Sequence, residues 1–252
     1  DAIVGHLAAG HIMWTAYYWL PWFALLLLRA CERPPTVRDA LLLALVLGGI
    51  VLQGGCHLYV WCLVFLGCFL LANPRRHWPI ALALLLGGLL AAYRLVPAAL
   101  VFDPGEVHRL RGFPRLYALW GGMTNRGLAQ APGRAFPWES DYYLGCTGAC
   151  TVLLLLLVPW CRAAWRRSLA RYWPLILPVA LLLFLAFDRM LYLVLKYLPL
   201  PLLDTQRVPA RLATLPLVFA IAVACVSASV LLAMAGRGPR LIASVAGLAV
   251  AA

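Results

Sequence analysis

The stretch Asp39–His77 reads DALLLALVLGGIVLQGGCHLYVWCLVFLGCFLLANPRRH, and no Asp, Glu, Lys or Arg lies between Asp39 and Arg75. Two apolar runs, roughly Asp39 to Leu52 and Leu58 to Leu71, flank the short turn QGGCH. Neither run carries the polar face that a water-exposed helix needs. A helix crosses the hydrocarbon with about 20 apolar residues, so both runs are somewhat short. The reading is a tight helical hairpin in a membrane that does not fully cross it.

Outward from this hairpin the same pattern repeats. Candidate spans run roughly His11 to Leu28, Pro79 to Phe102 (containing Arg94), Tyr143 to Trp160, Trp173 to Phe187 and Leu212 to Ala235. A final run, LIASVAGLAVAA, is about half a span. The expectation is therefore an all-α polytopic transmembrane helix bundle of about seven spans plus a truncated eighth. Residues 1–252 form a single transmembrane domain, with 103–141 as a long polar loop within it. The chain opens on Asp1 without an initiator Met or a signal peptide, which reads as an internal fragment of a longer protein.

Composition agrees. Apolar residues make up 64% and charged residues 12%, with a mean hydropathy of +0.88; a soluble domain carries about 25% charged residues. The net charge of +12 is almost all Arg, 20 of 21 basic residues. These Arg sit mostly in short connectors, which suits the positive-inside rule and anionic headgroups rather than nucleic acid. If the connector after the first span is cytoplasmic, alternation puts Arg29, Arg33, Arg38, Arg75, Arg76, Arg162, Arg166, Arg167, Arg171, Arg237 and Arg240 on that side, against only Glu32 and Asp39. The other seven acids fall on the opposite, outer face. The cysteines form no CxxC and no Cys/His cluster at zinc spacing. Cys56 and Cys146 fall near the same face, the one pairing for which a disulfide is conceivable.

The candidates for chemistry gather on the outer face. His6 and His11 flank the first span, and His57 lies at the hairpin tip. The five-residue step between His6 and His11 is a poor metal pair. Arg94 within a span faces either a cavity or, by snorkelling, the interface. The 103–141 loop mixes Asp103, Glu106, Glu139 and Asp141 with Arg and aromatics, a mixture that suits a sugar with a phosphate and equally an interfacial belt. In DTQRVPARL, Arg207 and Arg211 stand beside Pro209 at a helix entry, a strongly positive spot suited to a phosphate or diphosphate headgroup. There is no P-loop, GxSxG, HExxH or GxGxxG between strand and helix, so hydrolase, ATPase and Rossmann readings have no support.

The ordered set GHLAAGH, LVLGGIVLQGGCHLY, LLAAYRLVPAALVF, YYLGCTGACTVLLLLL and KYLPLPLLDTQRVPARLATLPLVF resembles bacterial YfhO-type membrane proteins of the GT-C glycosyltransferase class. The matching motifs are Gly5 with His6, Val96 with Pro97 (Val where Leu is usual), Tyr143 to Gly145, and Arg207, Pro209 and Arg211. The resemblance covers nearly the whole chain and implies a GT-C-like bundle in the bacterial inner membrane. It implies transfer of a sugar from a polyprenyl-phosphate donor to an acceptor on the outer face. It implies a catalytic Asp or Glu in a first outer loop, upstream of Asp1; within the chain the catalytic candidates are Asp1, Asp103 and Glu139. Arg207, Arg211, Arg94, His6, His11 and His57 are the candidate substrate-binding residues. No cofactor is identified and no metal ligands are assigned, although some members of the class use a divalent metal. The partners expected are membrane lipids and the lipid-linked sugar. Two other readings stand beside this one. A lipid-linked solute transporter or flippase would use intramembrane charge and Pro-broken helices, but the chain shows no inverted repeat. A non-catalytic subunit of a larger assembly would use small residues such as Gly48, Gly49, Gly87 and Gly88 for helix contacts with membrane protein partners.

Overall fold

The computed structural model describes residues 12–73, 77–101, 112–124, 142–157, 169–187, 190–197 and 208–234. Among these residues the chain is all-helical, with a single isolated bridge between Phe113 and Phe187 in place of any strand. A 3-10 segment, Ile12–Trp19, leads into α1 (Leu20–Glu32), with Pro21 in its first turn where no amide donor is needed. Then follow α2 (Val37–Leu52), α3 (Cys56–Ala72), α4 (His77–Val101), α5 (Leu116–Thr124) and α6 (Gly145–Leu157). The 3-10 turn Ala170–Leu175 opens α7 (Ile176–Leu185), and α8 (Met190–Tyr197) follows. A last 3-10 turn, Pro209–Ala213, opens α9 (Thr214–Met234).

The hairpin read from Asp39–His77 is α2 and α3. At its start Thr36 and Asp39 form a reciprocal capping box: each side chain bonds the other residue's backbone amide, at 3.3 and 2.9 Å. Arg33 adds an ion pair to Asp39 at 3.0 Å. Two orphan donors of the first turn are thereby satisfied. Thr36→Ala should cost about 1 kcal/mol, while Thr36→Ser should stay near wild type; thermal unfolding of both in one detergent checks this. At the far end Gly54 takes φ 85, a left-handed conformation that glycine adopts without penalty. Gly55 lies so close to Ala16 that a Cβ would sit 2.6 Å from the Ala16 Cβ, so the turn admits no side chain there.

Helices α2 and α4 pack in parallel, with α3 returning between them. The register follows from the contacts: a Cβ on Gly87 would meet Leu47 at 3.1 Å, one on Gly48 would meet Leu90 at 3.2 Å, and Arg94 reaches Val51. Small residues let the two backbones approach closely, as membrane helices do when burial of apolar surface supplies no drive.

The bundle has two ends. At the base end α1 finishes and α2 starts, and Glu32 accepts a hydrogen bond from the Tyr172 hydroxyl at the entry to α7. Burial, followed by this bond, raises the Tyr172 phenol above its ordinary value. At the tip end lie the Gln53–Gly55 turn, the start of α1, the end of α7 at Phe187, and the start of α9. Between them, Phe23 of α1, Phe65 of α3 and Phe219 of α9 form one aromatic cluster. Phe65 stacks on Phe219 at 4.3 Å between centroids, and Phe23 meets both edge-on at 5.9 and 6.2 Å.

Among the described residues two helices are long and apolar enough to cross a membrane, over Trp78–Pro97 and Pro209–Ala233. Most of each window lies on the surface of the described residues, with 22% and 28% buried. On α4 the exposed stripe is Trp78, Leu85, Leu89, Tyr93, Val96 and Leu100. A water-facing helix would carry charge there. The other apolar helices are shorter. With 16 and 17 residues, α2 and α3 extend about 24–26 Å, just under the hydrocarbon thickness. The first expected span is divided into a 3-10 segment and α1, and the sixth into a 3-10 turn and α7. The polar loop expected over 103–141 contains α5, because LYALWGGM is a local apolar patch. Cys56 and Cys146 are both free thiols, so the conceivable disulfide is not formed.

Candidate functional site

Of the residues singled out in the sequence, Arg94, His57 and Arg211 are described, and all three lie at the tip end. Asp1, His6, His11, Asp103, Glu139 and Arg207 lie outside the described residues.

Arg94 donates from Nη1 to the Val51 carbonyl at 3.2 Å. That carbonyl belongs to the last turn of α2, at the negative end of the helix dipole, and also accepts from the Gly54 amide at 2.9 Å. A cation from α4 thus caps the C-terminus of α2. Sequence alone left a cavity partner and a snorkelling role in balance. The geometry adds a third role, an interhelical cap, made by a largely exposed guanidinium. Pro97 one turn later removes one α4 hydrogen bond near this point.

His57 sits in the first turn of α3 beside Tyr17 and Trp61. Its ring centroid is 5.2 Å from Trp61 and 6.5 Å from Tyr17, and Tyr17 meets Trp61 edge-on at 6.4 Å. The Tyr17 hydroxyl and His57 Nε2 are both sealed from solvent. This is an aromatic nest at the hairpin tip.

Arg211 has the most elaborate support. It lies in Pro209–Ala213, which Pro209 starts and which feeds the N-terminus of α9. The Tyr142 hydroxyl donates to the Ala210 carbonyl at 2.8 Å and lies 3.3 Å from Thr214 Oγ1. Thr214 Oγ1 donates to the Arg211 carbonyl at 2.7 Å. The same Tyr142 anchors the end of α5: its amide donates to Gly122 O at 3.1 Å, and Leu144 N donates to Met123 O at 2.8 Å. Its ring leans on Phe113 at 6.1 Å, and Phe113 leans on Phe187 at 6.3 Å and donates its amide to Ala186 O at 3.0 Å. Tyr142 therefore ties α5, α6, α7 and α9 together behind the half-buried Arg211. Reading the sequence missed Tyr142, Phe113 and Thr214. The only local signal was a Tyr pair ahead of an apolar run, and the partners lie 29 and 72 positions away.

Gly145 opens α6 with φ +74, and a Cβ there would make only ordinary contacts, the nearest at 3.6 Å. The need for glycine is conformational. Gly145→Ala should destabilise by about 1–2 kcal/mol. Gly148→Ala, at a right-handed helical position with a nearest contact of 3.5 Å, should stabilise by up to about 1 kcal/mol. Opposite signs of the two shifts in thermal midpoint are the expected outcome, and a neutral Gly145→Ala would refute it.

The described carboxylates, Glu32 and Asp39, both lie at the base end, away from Arg211. Among the described residues no group of three His, Cys, Asp or Glu side chains is placed to hold a metal ion. Compared with known proteins, the chain matches no family model, no curated protein and no solved structure.

Proposed function

We propose that this chain is the bundle of a polytopic membrane glycosyltransferase of GT-C type, with about seven spans in the bacterial inner membrane and its tip end facing outward. The activity is transfer of a sugar from a polyprenyl-phosphate donor to an acceptor on the outer face. The observation that carries the reading is the braced cation at the α9 entry. Arg211 stands where a helix N-terminus adds its own positive field, and Tyr142 and Thr214 fix the backbone on either side of it. Arg207 lies one helical turn earlier in the sequence. Planar guanidiniums held in place bind a phosphate in a forked geometry. They stabilise the charge that grows on it as the glycosidic bond breaks. An outer-face carboxylate takes the acceptor proton; Asp1, Asp103 and Glu139 are the candidates within the chain, beside one in an earlier loop. Arg94, already engaged with Val51, is the weaker phosphate ligand, and His57, packed on Tyr17 and Trp61, supports the hairpin tip.

A non-catalytic subunit is the second reading, and the close helix approach that Gly48 and Gly87 allow suits helix contacts with membrane protein partners. Proteoliposomes containing the full-length protein, a polyprenyl-phosphate sugar and candidate acceptors separate the possibilities. Transfer of labelled sugar supports the enzyme. Movement of the donor between leaflets without transfer supports a flippase. Inactivity together with a stoichiometric co-purifying protein supports the subunit.

A further inference from the structure

A trough runs along the outside of the bundle between α1 and α2, with a volume of about 480 Å³. Its floor is Gly48 and Gly49, and its walls include Trp22 and Leu45, both more than half exposed. Trp19 closes it toward the tip end, where a Cβ on Gly49 would come within 2.7 Å of the indole. Toward the base end the lining is apolar until Arg29, the one charged side chain in it. Arg33 nearby is engaged by Asp39, whereas Arg29 has no carboxylate partner among the described residues.

The dimensions fit a particular occupant. From Leu42 to Leu52 the lining extends ten residues along α2, about 15 Å. An acyl chain entering beside Arg29 would run along this length toward the tip. The closed end is apolar and aromatic, and the open end is cationic and lies at the base. A neutral helix from another protein would leave Arg29 unmatched at the mouth. A single acyl chain beneath an anionic headgroup matches both the trough and its charge.

We propose that this trough binds one anionic glycerophospholipid from the base side, with an acyl chain along Trp22, Leu25, Leu42 and Leu45 and its phosphate on Arg29. The site is separate from the one at Arg211, and its Arg29 mouth is at the opposite end of the bundle. The inference rests on the membrane reading of the chain but not on the transferase activity. The test uses the full-length protein in nanodiscs of equal phosphatidylglycerol and phosphatidylethanolamine with identical acyl chains. The protein is released into mild detergent, and retained lipids are counted by native mass spectrometry. Wild type should keep one lipid, with phosphatidylglycerol favoured about fivefold, the effect of one Arg near an anionic headgroup. Arg29→Gln should bring the ratio near one. Leu45→Trp, which fills the trough from an exposed position, should lower retention of both lipids severalfold. Arg38→Gln, on an exposed Arg outside the trough, should change nothing.

The proposal is overturned by an even ratio in wild type, by equal losses in Arg29→Gln and Arg38→Gln, by full retention in Leu45→Trp, or by a dimer without lipid. Carbonate extraction of the membranes keeps the two levels apart. A protein released by carbonate refutes the membrane reading itself. One that stays in the membrane without the lipid preference refutes only the trough.

Discussion

Replacing Arg207 and Arg211 together by alanine is expected to lower sugar transfer by the full-length protein about a hundredfold or more. That is the scale of loss when a preorganised donor to a developing anion is removed. Arg211→Ala alone is expected to show much of the effect, because its backbone is braced by Tyr142 and Thr214. The loss should fall mainly on kcat, since the phosphate gains charge as it departs, with a smaller rise in KM for the donor. Arg211→Lys should recover only part of it, because an ammonium supplies the charge without the fork. Tyr142→Phe removes the hydroxyl that holds the Ala210 carbonyl and should lower kcat less than Arg211→Ala. Unchanged kcat and donor affinity in the double variant would remove the phosphate-binding role.

Phe65→Ala is expected to be strongly destabilising. Its ring is fully buried, stacked on Phe219 and edge-on to Phe23. In a membrane the hydrophobic transfer contribution largely disappears, since lipid is as apolar as the core, and lost packing remains. At about 24 cal/mol per Å³ for a cavity of roughly 100 Å³, the cost is about 2.4 kcal/mol. Phe65→Leu, which refills most of that space, should cost less than half as much. Thermal or denaturant unfolding in a single detergent measures both, and equal stability of the two variants would show that the cluster does not join the helices. Because Phe23, Phe65 and Phe219 come from α1, α3 and α9, the loss should also loosen the start of α9 and with it the mounting of Arg211.

Parts of this arrangement are legible in the residues themselves. The hairpin at Asp39–His77 appears within a few positions of its observed bounds, because an uncharged run broken by two glycines has one compact solution. The T-x-x-D pattern at Thr36 is a local capping signal that sequence alone could have supplied. The helix at Leu116 was hidden by its polar neighbours, although its own nine residues are mostly apolar. Arg94 stood undecided between cavity and interface because its partner, the Val51 carbonyl, lies 43 residues away. No periodicity carries that information.

What the sequence determined by itself is the local side of the problem. Apolar length and the absence of charge make the helices, glycine and proline end them, and the placement of Arg in connectors sorts the loops into two sets. These depend on contacts within a few residues, or on the preference of a side chain for lipid or water. Tertiary structure decided which ends meet and which residues share a site. The parallel packing of α2 and α4 puts a guanidinium on a helix terminus, and Tyr142 reaches across 68 positions to hold Ala210. The Arg29 trough exists only because α1 and α2 together supply its walls. Each of these is a pairing of surfaces rather than a property of either segment, and the chain must fold before the pairing exists.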